Sequence, residues 1–329
     1  PIRVPGRRVR RIGLAIACAL AAAVPVAPAF ADGAPELAAL APPPAVTDDA
    51  RRAVAIGPQG EVYEPDGKGA WVRRQRITTA GTISHAARAG GAVVALGDGV
   101  VYRLAPNGWS AIRLAQKGKA RIAGGWRAVA AVGRQLVALD RLAGGEPAKL
   151  GAAAGEILLV GSGRTIVVAT ERGLFRIDGA RTQPIAAPRR ARMLVGDRWA
   201  IVDGGAVDLR SGKTTAWPAG AAIEVAAEGH DDRLIAVARV AGKLELFAAG
   251  AGKLERAPIG AAEPGGSGPA TGAAAAGAPV GVAVDRAGRA VVAFRDGRIA
   301  VRDGGAWTTI TVGVELPPPR PGAPPAVSP

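Results

Sequence analysis

The sequence predicts an all-β ring of seven repeated units, and three observations carry that prediction. A short apolar phrase recurs seven times, the runs around it alternate with the two-residue period of strands, and Asp-Gly or Asn-Gly steps separate the runs. Of the 329 residues 49% are hydrophobic but only 4% aromatic, with 47 Gly and 26 Pro, and no long stretch carries a helical apolar period without a Gly break. A helical bundle is therefore disfavoured, and collagen and coiled coil are excluded.

Residues 1–31 precede the ring. Arg3, Arg7, Arg8, Arg10 and Arg11 lead without an acid, Ile12 to Val24 is mostly apolar, and Ala29-Phe30-Ala31 ends the segment. That order is a secretory signal peptide, with cleavage expected after Ala31, and a retained N-terminal membrane anchor is the alternative. Cys18 lies inside the apolar run, whereas a lipid-attachment cysteine should end it. Cleavage removes that one cysteine and lowers the formal charge from +15 to about +10, so thiol chemistry is excluded and the expected location is the periplasm or outside the cell.

Residues 32–47 read as an Ala/Pro-rich linker, and the repeats occupy 48–316. The phrases are Ala53–Ile56, Val93–Leu96, Val129–Val132, Val167–Thr170, Trp199–Val202, Leu234–Val237 and Val291–Phe294. Aligning them puts Ala55, Ala95, Ala131, Ala169, Ile201, Ala236 and Ala293 in one column, with successive gaps of 40, 36, 38, 32, 35 and 57 residues. The long last gap holds a Gly/Ala/Pro-rich insert, 261–279, and returns to the period without it. Trp71, Trp109, Trp217 and Trp307 form a second column at the head of the outer strand, where a large apolar plug is expected.

Each phrase is followed by two further alternating runs and preceded by a weaker one, which makes four strands per unit. Turns such as Asp98-Gly99, Asn107-Gly108, Asp178-Gly179, Asp203-Gly204 and Asp296-Gly297 suit tight hairpins, because these residues tolerate positive φ. Four-stranded units cannot stay open without exposing edges, so the fold class is a seven-bladed β-propeller of four-stranded antiparallel blades. The first unit lacks a clear opening strand, to be supplied by Val46–Arg51 or by a contribution from Thr311–Leu316 at the other end. Residues 317–329 read as a Pro-rich, polyproline-like disordered tail.

Ala169-Thr-Glu-Arg-Gly-Leu-Phe-Arg-Ile-Asp178 resembles the repeat of the two-component-regulator propeller family, and Phe294–Asp303 is a looser echo. In that family such blades form the exported sensing region of membrane kinases; the resemblance implies blade architecture and says little about signalling, and the sensing domain of a larger receptor is a separate alternative. No unit carries the Gly-His and Trp-Asp steps of WD-type repeats.

Chemistry-bearing residues are sparse. His85 falls in a weak opening strand, which in a propeller lines the central channel, and Glu224 is the best isolated carboxylate in another such strand. These two are the candidate binding residues, and no catalytic group, metal ligand set or cofactor is expected. His230-Asp231-Asp232 reads as a solvated turn, because consecutive turn residues do not converge on one metal. Propeller lactonases use Asn and Glu side chains around calcium, and Asn107 is the sole asparagine here and occupies a turn. Sialidase chemistry fails too, since Tyr63 and Tyr102 both lie in alternating strands that read as core, and none of the serines Ser84, Ser110, Ser162, Ser211 and Ser267 sits in a Gly-x-Ser-x-Gly elbow. The leading expectation is an exported, non-catalytic monomer that binds or scaffolds a partner protein or an anionic envelope polymer. A hydrolase or lactonase centred on the channel is the alternative. Nucleic acid is excluded as a partner of an exported chain whose arginines are spread through the repeats.

Overall fold

The computed structural model describes residues 35–41, 53–66, 70–76, 81–89, 92–105, 108–114, 118–125, 127–143, 146–179, 181–186, 190–229, 232–250, 252–259, 277–284, 288–303 and 305–315. The segment 1–31, read as a signal peptide, the segment 46–51, Asn107, His230, Asp231, residues 261–276 of the expected insert and residues 317–329 lie outside them.

The described residues form seven antiparallel sheets, each running from an inner strand outward in chain order, as a seven-bladed β-propeller. The inner strands are Ala39–Ala41, Ile83–Ala89, Ala120–Ala123, Ile157–Ser162, Met193–Val195, Ala222–Glu228 and Pro279–Val284, for blades one to seven. Every recurrent apolar phrase becomes a second strand. Asp98 at φ 47° and Gly99 at φ 78° make the tight turn that the Asp-Gly step predicts, because both central residues must take positive φ. Successive turns alternate between the two ring faces. Face I carries the turns between second and third strands, such as Asp98-Gly99 and Asp203-Gly204, and face II carries those between first and second strands, such as Gly196–Arg198.

Seven apolar clusters hold the ring, one between each pair of neighbouring blades. Alternate residues of one second strand serve opposite interfaces: Val129 and Ala131 pack toward blade four, Ala130 and Val132 toward blade two. Burial of each Val, Leu or Ile contributes about 1.5–3 kcal/mol before chain entropy is subtracted. Trp217 stacks on Phe247 between blades five and six, with ring centroids 5.5 Å apart.

The aligned column does not mark one face. Ala55, Ala95 and Ala236 pack toward the preceding blade, whereas Ala131, Ala169, Ile201 and Ala293 pack toward the following one. Second strands are buried on both faces, so their apolar runs carry no alternation to fix the register.

Ring closure uses both chain ends. The opening strand of blade one is Ala39–Ala41, inside the stretch read as linker. Leu37 N donates to Arg295 O of blade seven at 2.9 Å, and Leu37 and Leu40 pack with Ala283, Val291 and Val312. Val314–Glu315 then adds as a parallel fifth strand outside Trp71–Arg76, so the C-terminal strand completes the same blade. Gly277 to Pro279, the end of the insert by sequence, already belongs to blade seven: Gly277 N donates to Asp296 Oδ2 and Pro279 pairs with Phe294.

Candidate binding site at the channel mouths

The inner strands of all seven blades line a channel of about 1170 Å³. Its walls are mainly aliphatic, for example Ala86, Leu158, Leu194, Val225 and Val280, and its charges gather at the two mouths.

His85 and Glu224 both line this channel, near face I, but in blades two and six. The His85 Nδ1 lies 3.0 Å from Ser84 Oγ, and the surrounding channel wall lowers its pKa by desolvation, which favours the neutral imidazole. Its surface is open to the channel water even so, which fits a group walled on its sides and not capped. Glu224 Oε1 accepts from Arg239 Nε at 2.7 Å. Each residue thus has its own local partner, and they do not form a shared acid/base pair. Lys119, Arg121 and Arg295 line the channel beside them.

At face II the structure assembles a charged network that the sequence reading missed. Asp197 Oδ2 accepts from Thr165 N at 2.8 Å and Thr165 Oγ1 at 2.9 Å, which ties blade five to blade four, and Asp197 Oδ1 accepts from Arg210 at 3.1 Å. Arg198 donates to Asp208 at 3.1 Å and pairs with Asp232 of blade six at 2.9 Å. Burial pushes the Asp197 and Asp208 carboxyls upward, but hydrogen bonds from Thr165 and Arg198, with the nearby guanidinium charges, hold both below the usual carboxylate range. An Asp-Arg step before the second strand recurs at Asp197-Arg198 and Asp232-Arg233, and it is the sequence signal for this network.

Glu228 ends the inner strand of blade six against the Cα of Gly196, a glycine at φ 60°. Desolvation, reinforced by the negative charges of Asp197 and Asp232 and only partly offset by Arg210 and Arg198, raises its pKa to about 7. The close approach depends on the missing Cβ: a side chain at 196 would collide with the carboxylate. Among the described residues no group of three or more His, Cys, Asp or Glu is arranged to hold a metal ion, and no helix is long and apolar enough to cross a membrane.

No protein-family profile matches the chain, and no curated protein matches it. Among solved structures it is similar to the WD40 β-propeller domain of Doa1, with TM-score 0.51 and 11% identity over 82% of this chain and 93% of that one. Hsv2 of Kluyveromyces marxianus gives 0.52 and 9%, over 86% and 99%. Sqt1 of Saccharomyces cerevisiae gives 0.51 and 8%, over 86% and 87%. At such identities the likeness is one of fold, and the fold that the chain shares with these proteins is the β-propeller.

Proposed function

We propose that the chain is an exported, non-catalytic β-propeller that binds a partner protein or an anionic envelope polymer through one ring face. The observation that carries this reading is the use of the channel-mouth charges: Glu224 is committed to Arg239, Asp197 to Thr165 and Arg210, and Asp232 to Arg198, at 2.7–3.1 Å. Carboxylates so paired stiffen a recognition surface, and they are poorly placed to exchange protons with a substrate. The excess of Lys and Arg over Asp and Glu, about +10 once residues 1–31 are removed, favours anionic partners, and the basic leader followed by an apolar run supports export.

The likeness of Ala169–Asp178 to the two-component-regulator repeat has a local basis. Thr170 Oγ1 accepts from Arg172 N at 3.1 Å and donates to Gly173 O at 3.3 Å, so the Thr in the phrase locks a hairpin. That accounts for the Thr of the phrase as a turn residue and says nothing about signalling. One observation favours a channel enzyme as the second reading, the pKa of Glu228 near 7, a value suited to proton transfer.

Photo-crosslinking in the producing cell tests the binding reading. A photoreactive residue placed in turn at exposed positions of face I, face II and the outer strands should give one reproducible adduct confined to one face. No adduct at any position would overturn the reading.

A further inference from the structure

Blade five is the smallest of the ring. Its strands Met193–Val195, Trp199–Val202, Gly205–Asp208 and Thr214–Ala216 have 3, 4, 4 and 3 residues, against 6, 5, 6 and 5 in blade four. At about 3.3 Å per residue, strands one to three residues shorter rise roughly 3–10 Å less. At face I the two blades part over a cleft of about 1230 Å³, where Leu159 and Ile185 stay half-buried while Ala169 and Leu174 beneath them are buried against blade five. It shares Leu158, Leu159 and Arg192 with the channel lining, so cleft and channel mouth are one continuous surface.

Leu159 and Ile185 give the cleft apolar lining, and Arg172 and Arg190 stand exposed on its rim with the carboxylate of Glu171 beside them, so the three lining arginines outnumber the two lining carboxylates, Glu171 and Asp203. Arg192 pairs with Asp203 on the side of blade five, whereas among the described residues no carboxylate is paired with Arg172 or Arg190. No aromatic ring lies among the described lining residues, so the cleft lacks the stacking surface that sugars use. Its volume exceeds that of an ordinary small-molecule pocket, about 300–1,000 Å³. Pro184, exposed in the outer strand Arg181–Ile185, removes an edge N–H and discourages docking by strand addition.

From this geometry we infer that the cleft between blades four and five takes an extended acidic segment of a partner protein, with apolar side chains on the floor and carboxylates against Arg172 and Arg190. The inference rests on the binding reading above and adds the face, the blades and the partner chemistry.

Fluorescence anisotropy of the intact protein with a short labelled peptide of Glu, Leu, Gly and Ser, and with its Lys-for-Glu counterpart, tests it. The acidic peptide should bind in a salt-sensitive manner. The double variant Arg172→Glu/Arg190→Glu should weaken it by about tenfold or more and strengthen the Lys peptide, while Arg181→Glu, on the opposite face, should change neither. Both rim residues are exposed, and an unchanged thermal midpoint verifies the fold. Failure of the acidic peptide to bind, indifference to the double variant, or an equal loss in Arg181→Glu would overturn the inference. A single-face cellular adduct mapping to face II would overturn it while leaving the binding reading standing; no adduct anywhere removes the binding reading itself.

Discussion

A Cβ at position 281 would lie 2.5 Å from the Leu40 Cβ and 3.0 Å from the Leu40 nitrogen, so Gly281 of blade seven and Leu40 of blade one meet at the seam of the ring with no room for a side chain between them. The obstacle is backbone and the root of a side chain, neither of which swings aside. Gly281→Ala is expected to cost about 1–3 kcal/mol, read from urea midpoints. Gly155→Ala is the control: its nearest neighbour, Thr170 Cβ, stands at an ordinary 3.5 Å, and the change should stay within about 0.5 kcal/mol.

Asp197 joins blades four and five through Thr165, so Asp197→Ala strips the Thr165 N–H and Oγ1 of their acceptor in a nearly closed site. A loss of about 2–3 kcal/mol is expected in denaturant melts. Because the folded-state pKa of Asp197 lies below its unfolded value, its contribution is present above the unfolded pKa and disappears as pH falls through the folded one. The difference between wild type and Asp197→Ala should therefore shrink in acid, below about pH 4.

Glu228 has the opposite sign. With its folded-state pKa raised to about 7, the native state holds a proton that the unfolded chain releases near 4.5, and stability falls as pH rises between those values. The groups that face it are Asp197 and Asp232, which oppose its charge, and Arg198 and Arg210, which favour it. Glu228→Gln should be the more stable protein at pH 8, by about 1–2 kcal/mol after allowance for solvent screening, and nearly equal to wild type at pH 4.5. Urea melts at the two pH values measure the change.

Ala241 turns the hairpin of blade six at φ 48°, followed by Gly242 at φ 81°. A left-handed alanine is strained, by about 1–2 kcal/mol, and Ala241→Asn should recover roughly 0.5–1 kcal/mol as a raised thermal midpoint.

These positions show where sequence reasoning reached and where it stopped. Seven phrases were enough for blade count and strand order, because apolar burial and Asp-Gly turns both act locally. Ala241-Gly242 escaped notice because alanine gives no turn signal, although it occupies the same kind of position as Asp98-Gly99. The opening strand Ala39–Ala41 was hidden among Ala and Pro, since three buried residues take their strand state from Val54–Ile56 across the ladder and not from propensity. At the channel, the position of His85 and Glu224 on inner strands was legible from the repeat phase. The network around Asp197 and Asp232 was not, because it joins turns of three different blades, and such proximity follows only once the ring exists.

The central claim is a ring closed by both ends of the repeat region, and native-state hydrogen exchange tests it most directly. The amide of Leu37, bonded to Arg295 O, and the segment 312–315, anchored by the buried Val312 and the pairing of Val314 with Val72, should exchange as slowly as the second strands of the middle blades. Rapid exchange of both segments, with the middle blades still protected, would mean an open stack of sheets and would contradict the account.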